Sequence, residues 1–416
     1  MSNTITVFEH SVLRIDTNDF SLLHLETLQK FHSKNDTFFS LVHNGIRFKQ
    51  FVGVLQVGNL TIEILPKMDD NVGNKDWRSL LISMLKYVWS LKIHSPTESN
   101  LSLHHSSILD LYIELFCREI EILVHKGLIK QYRLQESNQK ALKGAFVFSK
   151  HITKNIVHKE LFYVRSSVYD QNHILHQILF KALIVLKRLK VNQSLHSMIS
   201  KILQFFPEQK DINVSEMTFD RIAYNRKTEP YRKAISIAKL ILLQFHPDVQ
   251  NGKYDVLALL FDMNKLWEAY LTKYLQRKQS EYTVVAQKNF PFTSEGRNIK
   301  PDILLQHKCD KSYTVLDAKW KKFTIANNVA IADLYQIYAY GKYFSATKAA
   351  LVYPKYTGDD IVINFDYKRI DKNVKDFCGS IIAVGDFQVD LRKTEPICLK
   401  GLLDWLESPC GVEEII

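Results

Sequence analysis

Asn298-Ile-Lys-Pro301-Asp302-Ile-Leu-Leu305, a polar break over 308–312, then Tyr313-Thr-Val-Leu-Asp317-Ala318-Lys319: the reading of this chain turns on that stretch. Two apolar runs on either side of a polar turn predict a β-hairpin. Side chains alternate across a strand, so Asp317 and Lys319 share one face and Ala318 faces the other way. In such a hairpin Asp302, at the start of the first strand, lies beside Asp317, near the end of the second. Two carboxylates then converge with an ammonium next to them.

The flanks extend the pattern in both directions. Upstream, Leu266 to Leu275 has helical spacing and carries Glu268, which can add a third carboxylate. Tyr282 to Phe290, Ile303 to Gln306 and Tyr313 to Lys319 read as strands, Val329 to Phe344 as a helix and Ala349 to Tyr353 as an apolar strand. The predicted order is αβββαβ. On the second helix Gln336 and Tyr340 stand at i and i+4, which stacks them on one face.

Carboxylates in this arrangement suit metal-assisted phosphodiester hydrolysis. Hard oxygen ligands select magnesium or manganese, the ion neutralises charge developing on the phosphate, and it acidifies a bound water. Lys319 can orient that water or help to deprotonate it, and the backbone carbonyl of Ala318 can supply another ligand. Each element alone is weak. The pattern [D/E]-x-K occurs three times, at Glu208, Asp317 and Asp366, and Pro-Asp occurs twice, at Pro247 and Pro301. Only Pro301-Asp302 with Asp317-x-Lys319 puts both on strand-like runs at hairpin distance.

The rest of the chain bounds the answer. Its 416 residues predict two or three domains, and 46% hydrophobic with 24% charged residues is an ordinary globular mixture. No run of 18 apolar residues and no basic-then-apolar leader occurs, so neither membrane insertion nor secretion is expected and the predicted location is cytoplasmic. Five cysteines (Cys117, Cys309, Cys378, Cys398, Cys410) lack C-x-x-C or metal-ligand spacing and read as reduced thiols. With 55 Lys+Arg against 44 Asp+Glu the net charge is +11, a field that attracts a polyanion such as nucleic acid.

Towards the N-terminus, alternation from Gly45 to Val57, a Gly58-Asn59 turn and Leu60 to Pro66 predict a hairpin in a small β-rich domain. Gly53 and Gly58 have P-loop spacing, but Asn59-Leu60 follow where Lys and Ser/Thr are needed, so no nucleotide site is expected on this chain. Helical patterns follow Asp76, a candidate N-cap, then span Ser107 to His125 and start again near Gln171, which predicts a mostly α middle. His104-His105 and His173-x-x-His176 have no third ligand nearby and read as packed or solvated histidines.

Taken together, Pro301-Asp302, Asp317-Ala318-Lys319 and Gln336-x-x-x-Tyr340 within αβββαβ order resemble the PD-(D/E)xK nuclease superfamily, in its RecB-like branch. The closer similarity is to the McrC family, nuclease subunits of McrBC-type modification-dependent restriction systems. It is carried by Val52-Gly-Val-Leu-Gln-Val-Gly58, Ile62-Glu-Ile-Leu-Pro-Lys67, Leu142-Lys-Gly144-Ala, Leu260-Phe-Asp-Met-Asn-Lys-Leu-Trp-Glu268 and Asp333-Leu-Tyr-Gln336-Ile-Tyr-Ala-Tyr340. The resemblance implies an α/β chain, α+β overall: an N-terminal β-rich and helical domain over 1–165 that binds a motor, a helical connector over 166–256, and a nuclease domain over 257–416.

It further implies a Mg2+-dependent DNA endonuclease whose partners are double-stranded DNA and a hexameric AAA+ GTPase. The N-terminal part would enter the motor's pore and stimulate GTP hydrolysis, and the motor would read the DNA modification. By resemblance Asp302 and Asp317 bind the metal, with Ala318 and Glu268 as further ligands. Lys319 serves the attacking water, and Gln336 with Tyr340 supports the site or DNA. Trp267 stands where phenylalanine is more usual in the family. A rival reading keeps the fold without the chemistry: a regulatory or DNA-binding subunit with a vestigial site.

Overall fold

A computed structural model describes residues 3–15, 19–34, 36–66, 74–88, 108–189, 191–243, 245–246, 255–321, 329–355, 360–365, 378–384 and 399–408. The His104-His105 pair, Cys398 and Cys410 lie outside these residues.

The chain opens with β1 (Asn3–Phe8), β2 (Val12–Arg14), α1 (Leu22–Lys34), β3 (Phe39–Val42), β4 (Gly45–Phe48), β5 (Phe51–Val57) and β6 (Leu60–Leu65). The expected hairpin is present: β5 and β6 pair antiparallel with Val57 opposite Leu60, and Gly58 turns at φ +60. The alternation from Gly45 to Val57 is not one strand, however. It breaks after Phe48, so that β4 pairs with β2 and β3 while β5 belongs to a second sheet. Isoleucines 5, 46, 62 and 64 and phenylalanines 20, 39 and 48 bury between these layers.

Next come α2 (Asn74–Val88), α3 (Ile108–His125), β7 (Gln131–Gln139), β8 (Ala145–Phe146), α4 (Phe148–Lys154), β9 (Phe162–Asp170), α5 (Ile174–Arg188), α6 (Gln193–Phe205), α7 (Glu216–Asp220) and α8 (Arg232–Leu243). The apolar faces read from the sequence are buried: Leu80, Leu81, Met84 and Leu85 on α2, Ile108, Leu111, Tyr112, Leu115 and Phe116 on α3. Helix α2 starts at Asn74, which puts Asp76 inside the first turn rather than at the cap, and its side chain is outside the description. The middle is less helical than expected. An antiparallel ribbon of β7 and β9, with β8 beside β9, interrupts it, and residue 165 falls within β9.

Last come β10 (Phe245–His246), β11 (Val256–Asp262), α9 (Met263–Lys278), β12 (Tyr282–Ala286), β13 (Phe290–Pro291), β14 (Asn298–Ile299), β15 (Ile303–His307), β16 (Tyr313–Ala318), α10 (Ile331–Tyr343), β17 (Lys348–Pro354), β18 (Ile361–Phe365), β19 (Cys378–Val384) and α11 (Lys400–Glu407). Strand β11 pairs antiparallel with β5 along seven residues, completing the N-terminal sheet in the order β1-β6-β5-β11-β10. Position 257, expected to open the nuclease domain, therefore lies in a strand of the N-terminal sheet. Gly53 permits this pairing: it has φ +132, and a Cβ there would stand 2.2 Å from the Leu259 carbonyl.

The αβββαβ core follows as α9, β12, β15, β16, α10 and β17, in a six-stranded sheet ordered β12-β15-β16-β17-β19-β18. The first three of these strands are antiparallel neighbours, and β16, β17 and β19 run parallel. The strand expected over 282–290 ends earlier, because Gln287 turns at φ +54 and Phe290 joins a separate two-residue ribbon. Both faces of the sheet are covered. Leu316, Ala350 and Val352 pack with Trp267 and Leu402 in one core, while Val315, Ala349 and Leu351 pack with Ile337 and Tyr340 in another. Such double coverage is what near-continuous apolar parallel strands require.

Candidate active site

The site forms where β15 begins and β16 ends. Ile303 pairs with Leu316, so the preceding Asp302 and the following Asp317 stand side by side at one rim of the hairpin, as read from the sequence. The Asp302 carboxylate is fixed: Oδ2 accepts from the Ala318 backbone N–H at 2.9 Å. Ala318 thus meets Asp302 through its amide. Asp317 is almost fully buried, and its Oδ1 accepts no hydrogen bond from the described residues. Lys319 Nζ forms an ion pair with Asp317, 2.8 Å from Oδ2. Burial raises the Asp317 carboxyl, the charge of Asp302 raises it further, and the Lys319 ammonium only partly offsets them.

Glu268 reaches the same rim from α9. The side chain of Asp262 caps that helix, accepting from the N–H groups of Asn264 and Lys265, and so sets the rotation of the turn that carries Glu268. Burial pushes the Glu268 carboxyl up to about 7, helped by Asp302, Asp317 and Asp262. Gln287 Nε2 bridges the two outer acids, donating to Glu268 Oε2 at 2.7 Å and to Asp302 Oδ1 at 3.1 Å.

Lys319 is held from the other side by α10. Its Nζ donates to Gln336 Oε1 at 3.0 Å and lies 3.3 Å from Asp333 Oδ1. Gln336 Nε2 in turn donates to the Tyr340 hydroxyl (2.9 Å), which donates to the Lys300 carbonyl (3.0 Å), just before Pro301-Asp302. The predicted i, i+4 pair is therefore one link in a chain that ties the ammonium to the loop bearing the first acid. Burial alone would lower the Lys319 ammonium, but Asp317 and Asp333 outweigh it, and the group is raised.

Sequence reasoning missed Asp333 and Gln287. Asp333 is buried in the first turn of α10 and pairs with both Lys319 and Lys321. Its signal was present, three residues before Gln336 and on the same face, but an acidic residue in a first helical turn is common for dipole reasons alone. Gln287 gave no signal, since it stood inside an apparent strand.

Among the described residues, no three His, Cys, Asp or Glu side chains stand closed together as a ready cage for an ion. The donor set nevertheless fits a hard divalent cation that keeps several waters. Asp317 offers a buried Oδ1 with no hydrogen-bond partner among the described residues, and Asp302 stands beside it. Magnesium is commonly held by one or two carboxylates plus phosphate oxygens. His173 and His176 are packed, as expected for that pair: His176 Nδ1 donates to the Gln171 carbonyl (2.7 Å), and its Nε2 accepts from the Tyr231 hydroxyl (3.0 Å).

A protein family described as "McrBC 5-methylcytosine restriction system component" matches residues 46–354. The chain belongs to this family. Membership bears out the resemblance read from the sequence, and the matched span of the McrBC-family chain includes Glu268, Asp302, Asp317, Lys319, Asp333, Gln336 and Tyr340. No curated protein matches the chain. A similar solved structure is a chain of the refined half-complex from the tetradecameric assembly of Thermococcus gammatolerans McrB AAA+ hexamers with bound McrC. It is 20% identical, with a TM-score of 0.65 over 91% of this chain and 94% of that one. A chain of the Thermococcus gammatolerans McrBC complex, also 20% identical, has a TM-score of 0.48 over 67% of this chain and 89% of that one. The first likeness shows a shared fold.

Proposed function

We propose that this McrBC-family chain is an McrC-type nuclease subunit that hydrolyses DNA phosphodiester bonds with Mg2+. The observation that carries the reading is the juxtaposition of Asp302 with a buried Asp317, beside a lysine held by Asp317, Asp333 and Gln336. Two carboxylates gathered beside a single ammonium leave net negative charge at a buried rim, which a divalent cation would neutralise. Asp302 and Asp317 would hold the ion, with Glu268 and the Ala318 carbonyl as further ligands, and the bound ion would polarise the phosphate and acidify a water.

The residues of the chain do the remaining work. Lys319 holds its proton against Asp317 and Asp333 and directs a fixed positive charge at the place where the attacking water and the scissile phosphate meet. Gln336 keeps that ammonium in place, and Tyr340 locks the Pro301-Asp302 loop to the same helix. The net charge of +11 supports backbone binding without sequence readout.

In this reading 257–416 carries the cutting unit, 166–256 connects, and 1–165 engages a hexameric AAA+ GTPase, as McrC is bound to McrB hexamers in the Thermococcus complex. The motor supplies nucleotide hydrolysis and modified-base recognition. The test combines the Asp317→Ala chain with its motor, GTP and methylated DNA. Loss of cutting with GTPase stimulation retained is the expected result, and unchanged cutting overturns the proposal.

A further inference from the structure

Gln287 closes β12 with φ +54, a left-handed conformation that residues bearing a Cβ seldom adopt. Its backbone N–H donates to the Asp302 carbonyl at 3.1 Å, which fixes the residue against the start of β15. From there the side-chain amide donates to Glu268 Oε2 and Asp302 Oδ1, an acid of the helix and an acid of the strand. Gln287 is exposed and fills no core. Its unusual backbone and its bifurcated donor serve the same end, since both aim one amide between two carboxylates that would otherwise repel each other.

The chemistry of the group matters. A lysine in this place would gather the acids equally well, but its charge would compete with a divalent cation. An amide gathers them and leaves their negative charge intact. Asp302 is then fixed at both oxygens, by Gln287 at Oδ1 and by the Ala318 N–H at Oδ2. Donors of this kind, placed outside the ligands, set the direction of the remaining lone pairs and so the affinity of the site.

We propose that Gln287 is a positioning residue of the metal site, holding Glu268 and Asp302 at the spacing and orientation that a divalent ion requires. The proposal rests on the reading of Asp302 and Asp317 as metal ligands. It assigns Gln287 no contact with substrate or with the ion.

The test is a Mn2+ titration of the full chain, followed by electron paramagnetic resonance without motor or DNA. It compares wild type, Gln287→Ala, Gln287→Gly and Asp317→Ala. The glycine variant relieves the left-handed backbone while removing the amide, so it guards against a folding defect. Both Gln287 variants are expected to weaken Mn2+ binding by about 10–100-fold. With motor and GTP they should raise the half-maximal Mg2+ concentration for cutting by a similar factor, while the rate at saturating Mg2+ stays within about threefold of wild type. If Asp317→Ala loses the ion but both Gln287 variants bind it like wild type, the positioning role is overturned and the metal site stands. If Asp317→Ala binds Mn2+ as tightly as wild type, the metal site itself is overturned and the role of Gln287 with it.

Discussion

Replacing Glu268 by Gln separates what the site costs the fold from what it contributes to chemistry. Burial, with the charges of Asp302, Asp317 and Asp262, moves this carboxyl from an ordinary 4.5 to about 7. That difference corresponds to at most about 3 kcal/mol. The side chain is partly exposed, so solvent screening reduces the figure to about 1–2 kcal/mol. In the unfolded chain Glu268 ionises above its ordinary value, whereas the folded chain keeps the proton until about 7. The stability contribution is therefore complete below pH 4.5, declines through the interval and is lost above pH 7. Glutamine cannot ionise and still offers Gln287 an acceptor. In EDTA the Glu268→Gln chain should unfold at a higher temperature than wild type at pH 8, with a much smaller difference at pH 5. On the proposed metal-site reading, saturating Mg2+ should reverse the order at pH 8, because an ion bound at Glu268 would stabilise the folded wild type more. Thermal unfolding with and without Mg2+ measures both. A gain that is absent, or equal at the two pH values, refutes the electrostatic account of this rim.

Two further outcomes follow from the same geometry. If the proposed nuclease reading holds, Asp333→Asn, which removes a charge from beside Lys319, should slow cutting by about tenfold at saturating Mg2+, one step of about 1.4 kcal/mol; Lys321→Ala, which removes only the outer partner of Asp333, should leave the rate near wild type. His176 is held to about 4 by burial, with His173 adding to the effect, so its contribution to stability is present above the ordinary 6.5 and falls as the pH drops towards 4. A 15N titration should show this imidazole neutral at pH 5, and a midpoint near 6.5 would refute the packing described for it.

Local periodicity was enough to read the hairpin from Pro301 to Lys319, the helix pair Gln336 and Tyr340, and the β5–β6 turn, because each is set by neighbours close in sequence. What escaped depends on distant partners. In Val256–Asp262 both faces are buried, so the run shows no alternation, and its partner β5 lies about 200 residues upstream. The β7–β9 ribbon escaped for the opposite reason: β7 is mostly polar, and its two apolar residues, Tyr132 and Leu134, are both exposed. Asp333 and Gln287 act through contacts that form only when α10 and β12 meet the hairpin. Such contacts leave no periodic trace.

Strand β11 runs from the N-terminal sheet straight into the helix that bears Glu268, and the Met263 N–H at the junction donates to the Gln50 carbonyl at 3.0 Å. The residue after Lys319 is anchored in the same direction, since the Trp320 indole donates to the buried Glu9 carboxylate at 3.0 Å. The C-terminal half is consequently not a cassette. Excised at residue 257 and transplanted, it would carry a bare β11 looking for an edge to join, and Trp320 would lose its anchor one residue from Lys319.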